Sequence, residues 1–243
     1  MAQQPSFGGA AANPVAVISP QFCSPHPIDL AIVRKVVIFS SGGFDVKDTD
    51  GNILFKVKDV FALMRRRRVL LDGAGNPIVT LREKAMSRHH RWQVFRGEST
   101  ERRHLIFSAK ISRSGWFSST TKLDVFLANN TREDACDFRV VKGSSWLFEP
   151  SSCTIYAGKS SAIVAQMHEK QTVKSIFLGK DNFMVTVHPN VDYAFIVALI
   201  VILDEINRAR SSSSSSGGGG GCCGVCGGGC GGGCGGGGGC GGG

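Results

Sequence analysis

Arg65, Arg66, Arg67 and Arg68 form an unbroken run, and Arg82, Lys84, Arg88 and Arg91 follow close behind. Guanidinium and ammonium groups at this density attract phosphates, at about 1 kcal/mol per charge near an anionic lipid surface. From Phe61 to Arg113 the chain carries 13 Lys and Arg against four acids, an excess of +9 that equals the net charge of the whole protein. The other residues balance 15 against 15, so the charge is a patch on an otherwise neutral chain. Anionic phospholipid headgroups are the first candidate partner. Nucleic acid is the second, because Trp92, Phe95, Trp116 and Phe117 interleave with the cations. Strand alternation sets Trp92 and Val94 on one buried face, which weakens a base-stacking platform. The competing readings of the run are a solvated loop and a nuclear-import address.

Signatures of catalysis are missing. The chain has no Gly-x-Ser-x-Gly elbow, no His-Glu-x-x-His pair and no phosphate-cradling Gly-Lys-Ser/Thr loop. Gly73 to Pro77 reads as a hairpin turn. Asp48, Asp50 and Gly51 have the spacing of a calcium loop, but Val46 and Val57 would fall at its first and twelfth positions and neither offers an oxygen. Adjacent His89 and His90 point to opposite faces of a strand, and together with His104 they read as solvated side chains rather than metal ligands. Without a convergent acid, base, nucleophile or metal set, an enzyme is disfavoured, and no cofactor or metal is expected.

The elements that carry these residues are short strands. Between Leu30 and His188 apolar side chains recur with period two: Leu123, Val125 and Leu127, then Cys136, Phe138 and Val140, then Phe183, Val185 and Val187. Asp50-Gly51-Asn52 and Gly73-Ala74-Gly75-Asn76 mark hairpin turns. Continued along the chain, the pattern gives about twelve strands, the even spacing of a barrel or sandwich. At Ala194 to Leu203 the period changes to AFIVALIVIL, apolar on every side, with Asn190 and Asp192 as capping candidates. Such a helix must be buried in protein or lipid. Its ten residues span roughly 15 Å, half a bilayer core, so no transmembrane span is expected and a barrel lumen is the fitting host. Phe195, Ile196, Leu199, Ile200 and Leu203 are its core residues.

Both ends differ from this body. Residues 1–21 lack Lys, Arg, Asp and Glu and read as a disordered lead-in without a secretory signal. Residues 22–210 form the barrel domain. Residues 211–243 are six serines followed by glycines and cysteines, holding 20 of the 32 glycines and six of the nine cysteines, so they cannot pack a core. Cys222, Cys223 and Cys226 in this tail are candidate S-acylation sites, weighed against an inert extension. The body's Cys23, Cys136 and Cys153 read as reduced thiols. The expected location is cytoplasmic, peripheral at the plasma membrane where lipid is the partner, or nuclear.

Several stretches resemble the plant LURP-one-related family: PIDLAIVRK from Pro27, DGNILFKVK from Asp50, RVLLDGAGNPIVTLREK from Arg68, HRWQVFRG from His90, TKLDVFL from Thr121, IVAQMHEK from Ile163, and FLGKDNFMVTVHPNVDYAFIVALIVILDEIN from Phe177. The resemblance covers Phe22 to Arg208. It implies a tubby C-terminal-like fold, related to that of the phospholipid scramblases: a closed antiparallel barrel of twelve strands around an apolar C-terminal helix. It also implies a non-enzymatic protein, for which three functions are in play. These are a membrane-tethered or phosphoinositide-binding module, a barrel for unidentified protein partners, and a nucleic-acid-associated regulator.

Overall fold

The period-two segments form twelve strands: β1 (Ile28–Arg34), β2 (Phe44–Lys47), β3 (Ile53–Ala62), β4 (Arg65–Asp72), β5 (Pro77–Glu83), β6 (Trp92–Arg96), β7 (Leu105–Ile111), β8 (Thr121–Leu127), β9 (Phe138–Lys142), β10 (Cys153–Ala157), β11 (Ile163–His168) and β12 (Phe183–Val187). A helix, α1 (Tyr193–Ser214), follows. The computed structural model describes residues 14–34, 43–62, 65–85, 87, 90–112, 121–143, 153–158, 160–168 and 183–214. Each strand pairs antiparallel with its sequence neighbours, and β1 pairs with β12, so the sheet closes into a barrel. Closure removes the unpaired edges that a meander would otherwise present.

Two hairpins share one turn chemistry. Asp48 Oδ1 accepts the Asn52 backbone N–H at 2.8 Å, and Asp72 Oδ1 accepts that of Asn76 at 2.7 Å. In each turn the Asn side chain donates to the other carboxylate oxygen at 2.9 Å. These bonds hold both carboxyls below their usual range, led by the Asn side-chain contact. Asp48, the first of the acids that have calcium-loop spacing, is therefore a turn cap. Gly51 and Gly75 take φ of 90° and 99° in these turns, the region that only glycine enters freely.

The lumen is filled by α1. Phe195, Ile196, Leu199, Ile200 and Leu203 are at most 3% exposed. Phe195 lies edge-on to Phe107 at 5.1 Å and tilted against Phe138 at 4.8 Å. Alternating residues of the wall, among them Leu30, Val57, Leu70, Leu81, Trp92, Val94 and Leu123, complete this core. The helix runs past the apolar stretch to Ser214, so Ser211–Ser214 are helical rather than part of the tail. No helix among the described residues is long and apolar enough to cross a membrane. The chain divides into Met1–Asn207 and Arg208–Gly243; of the second unit only the helical Arg208–Ser214 is described.

The lead-in expected over 1–21 is shorter than that. From Pro14 onward the chain is part of the barrel: Val15 bridges to Val191 and Cys23 to Asp192, with a 3-10 turn at Pro20–Phe22 between them. Ile18 and Phe22 join the hydrophobic core. Uncharged composition indicates disorder only when apolar residues have nothing to bury against, and here the mouth of a barrel supplies it.

Candidate functional site

Strand β4 sorts its arginines by face. Leu70 points into the lumen, so Arg68, two residues away, points the same way, while Arg67 points outward. Arg68 is 3% exposed. Its Nε donates to Glu205 Oε1 of α1 at 2.8 Å, Nη2 joins the same oxygen, and Nη1 pairs with Asp59 on β3. Asp59 and Arg68 are direct cross-strand partners. A guanidinium cannot be buried without such charged, hydrogen-bonded neighbours. The expected surface cluster thus loses Arg68, which sits between wall and helix and is unavailable to an external anion.

Arg67 remains on the outer face. It stands directly opposite Arg82 of β5, and Lys58 of β3 lies diagonally across, opposite Val69. Arg67 Nη2 donates to the Glu98 carbonyl at 2.8 Å, while its Nε is buried without a hydrogen bond among the described residues. The Arg82 guanidinium lies 4.9 Å from the centre of the Phe95 ring, and its Nη2 meets Gln93 Oε1 at 3.4 Å. Lys84, one residue beyond β5, is exposed, as is Lys58. Lys58, Arg67, Arg82 and Lys84 therefore form one outward basic surface. Like charges in direct cross-strand opposition repel, and an anion placed between Arg67 and Arg82 relieves that.

Arg91 is engaged elsewhere. Its Nη2 donates to Glu133 Oε2 at 2.7 Å, with Nη1 on the second carboxylate oxygen, and Lys110 Nζ reaches Glu133 Oε2 at 2.7 Å. The Arg91 hydrogen bonds, helped by Lys110, hold the Glu133 carboxyl down at about 2. Arg65 and Arg66 pair with Ala62 and Phe61 through the β4 backbone, but their side chains lie outside the described residues. Arg88, His89, Trp116, Phe117, Cys222, Cys223 and Cys226 also lie outside them. Trp92 and Phe95 are each 1% exposed, on opposite faces of β6, so neither offers a ring for stacking. His90 contacts Glu83 and His104 contacts Ser99, and no cluster suited to a metal occurs among the described residues.

With this geometry in view, the comparisons identify the lineage. The family model described as LURP-one-related matches residues 28–204, β1 through most of α1. The chain belongs to the LURP-one-related family. It is 56% identical over 207 residues to Protein LURP-one-related 15 of Arabidopsis thaliana, covering 85% of this chain and 90% of that protein. It is 50% identical over 197 residues to Protein LURP1 of the same plant, covering 81% and 92%. An X-ray structure of an Arabidopsis thaliana protein, 50% identical, superposes with a TM-score of 0.61 over 79% of this chain and 98% of that one. For a LURP-one-related protein, the residues missed from sequence are Asp59, Glu205 and Glu133. Asp59 and Glu205 had a readable signal: Asp59 shares the parity of Phe55 and Val57, and Glu205 lies one helical turn beyond Val201 and Ile202. Glu133, in a loop between strands, had none.

Proposed function

We propose that this LURP-one-related barrel is a non-catalytic module that binds anionic phospholipid surfaces through the outward face of β3, β4 and β5. The observation that carries the reading is the direct opposition of Arg67 and Arg82, flanked by Lys58 and Lys84. The lumen is packed with the side chains of α1, so a ligand meets the outer wall rather than the interior. Four cations on one face contribute up to about 4 kcal/mol of attraction to a negatively charged bilayer. The family's resemblance to tubby-like and phospholipid scramblase proteins points in the same direction as an argument from fold alone. S-acylation at Cys222, Cys223 and Cys226 would add a second tether, since two weak anchors hold where one is marginal. On this reading the protein sits peripherally at a membrane.

Nucleic acid is the rival anion, and the burial of Trp92 and Phe95 disfavours it. Competition decides between them. Phosphoinositide-bearing vesicles and duplex DNA, presented together at one ionic strength, should leave the protein on the vesicles. Retention on the DNA would overturn the lipid reading.

A further inference from the structure

Arg91 directly precedes β6, and Ser108 and Lys110 are alternate residues on the outer face of β7. The loop between β8 and β9 folds back over that face, and its Glu133 carboxylate fills the space between the two cations. Arg91 grips both carboxylate oxygens and also donates from Nη1 to Ser108 Oγ at 3.2 Å. Lys110 Nζ binds one of these oxygens while lying 4.4 Å from the centre of the Phe126 ring. We propose that Arg91, Lys110 and Ser108 form a phosphomonoester clamp in which Glu133 is a resident stand-in, and that a ligand phosphate binds by displacing this carboxylate.

Three observations carry this. A fork of two parallel N–H donors plus an ammonium is the donor set that phosphates use, and a carboxylate satisfies it with a single charge where a phosphomonoester brings close to two. Glu133 has a φ of 55°, a left-handed conformation unusual for a residue with a Cβ, so its hold on the clamp is offset by backbone strain. A cleft of about 350 Å³, lined by Lys110, Asp124, Phe126, Glu133, Cys136 and Arg139, opens beside the clamp and gives a ligand its approach. Hydrogen bonds that do not involve the Glu133 carboxylate tie down the loop around it. Glu133 N–H donates to Asn130 Oδ1 at 3.1 Å, and Asp137 Oδ2 accepts from Leu127 N–H and Asn130 Nδ2. The Glu133 carboxyl, held at about 2, is ionised at neutral pH, so exchange is by competition rather than by protonation. This clamp adjoins the β3–β5 surface, since Lys84 N–H donates to the Arg91 carbonyl at 2.8 Å, but it uses different side chains and is tested by different variants.

The test is calorimetric titration of the full chain with inorganic phosphate, at constant ionic strength set with chloride. Glu133→Ala should bind phosphate at least about tenfold more tightly than the wild type, and adding Arg91→Gln should abolish the gain. Glu133→Gln, which preserves size and removes the charge, is the second variant should the alanine form lose its unfolding transition. A parallel arm uses neutral vesicles doped with phosphatidic acid or, at equal surface charge, phosphatidylserine. Tighter phosphate binding supports a free phosphate ligand, and selective capture by phosphatidic acid supports a lipid headgroup. The proposal is overturned if both Glu133 variants match the wild type in phosphate binding and neither prefers phosphatidic acid. It is equally overturned if the gain survives Arg91→Gln.

Discussion

The barrel holds two points along the same helix by different means. Where α1 begins, the Asp192 carboxylate accepts backbone N–H groups: Oδ2 takes those of Val17, Ile18 and Ser19 at 3.1, 2.6 and 3.0 Å, and Oδ1 takes that of Phe195 at 3.0 Å. It caps the helix and staples residues 14–23 across the opening, with Phe22, Phe55 and Tyr193 clustered beneath. Toward the other end of the barrel, Arg68 joins Asp59 and Glu205 side chain to side chain. A carboxylate met by main-chain donors depends on one side chain alone. An ion triad depends on three, and losing either carboxylate leaves the buried Arg68 guanidinium with too little negative charge.

That difference orders the expected effects. Glu205→Ala should be the most damaging, about 3–5 kcal/mol in denaturant unfolding, because Arg68 is left buried with too little negative charge. Replacing the triad together, as Arg68→Met with Asp59→Leu and Glu205→Leu, should restore wild-type stability or exceed it. A triple variant as weak as the single one would show that the triad contributes more than mutual neutralisation.

Asp192→Ala should cost less, about 2–4 kcal/mol, by removing the cap and leaving the buried Ile18 and Phe195 N–H groups, and the half-buried ones of Val17 and Ser19, without that acceptor. Its loss should be local. Amide exchange at Val17, Ile18 and Ser19 should accelerate far more than in β7 or β8, whereas Glu205→Ala should raise exchange throughout. Uniform acceleration in both variants would erase the distinction between the two anchors.

Away from both anchors, Glu133 sets a pH dependence. Its folded pKa of about 2 lies below the ordinary 4.5, so its stabilisation is complete above about pH 5 and is lost as pH falls toward 2. The amount is on the order of 2–3 kcal/mol, and Glu133→Gln should remove that share of the acid sensitivity. Identical acid unfolding profiles for the two proteins would contradict the assignment. The smallest expected effect is chemical: burial pushes the Cys153 thiol up to about 12, so alkylation mapped by peptide mass spectrometry at pH 8 should spare it until the barrel unfolds.

The barrel and its helix were legible because both rest on periodicity. Leu123 and Val125 alternate inward as the pattern requires, and AFIVALIVIL has no polar face to offer solvent. Residues 14–22 were illegible because their order depends on Asp192, far along the chain, accepting three of their N–H groups. The arginine run was half legible. Its charge marked an electrostatic feature, but whether a given arginine faces lumen or solvent follows from strand phase, and the phase became visible only once Leu70 was placed inside. Glu133 is invisible to any local pattern, since its partners lie 42 and 23 residues away.

On the proposed function, the outer face of β3–β5, rather than the arginine run as such, meets the anionic surface. Vesicle flotation separates the two. Lys58→Gln, Arg67→Gln, Arg82→Gln and Lys84→Gln combined should abolish binding to phosphoinositide-bearing vesicles at about 0.1 M salt, where charges interact over about 10 Å. The Met/Leu/Leu replacement of Arg68, Asp59 and Glu205 should bind them like the wild type. Full binding by the four-Gln protein, or its loss in the folded triad replacement, would contradict the account.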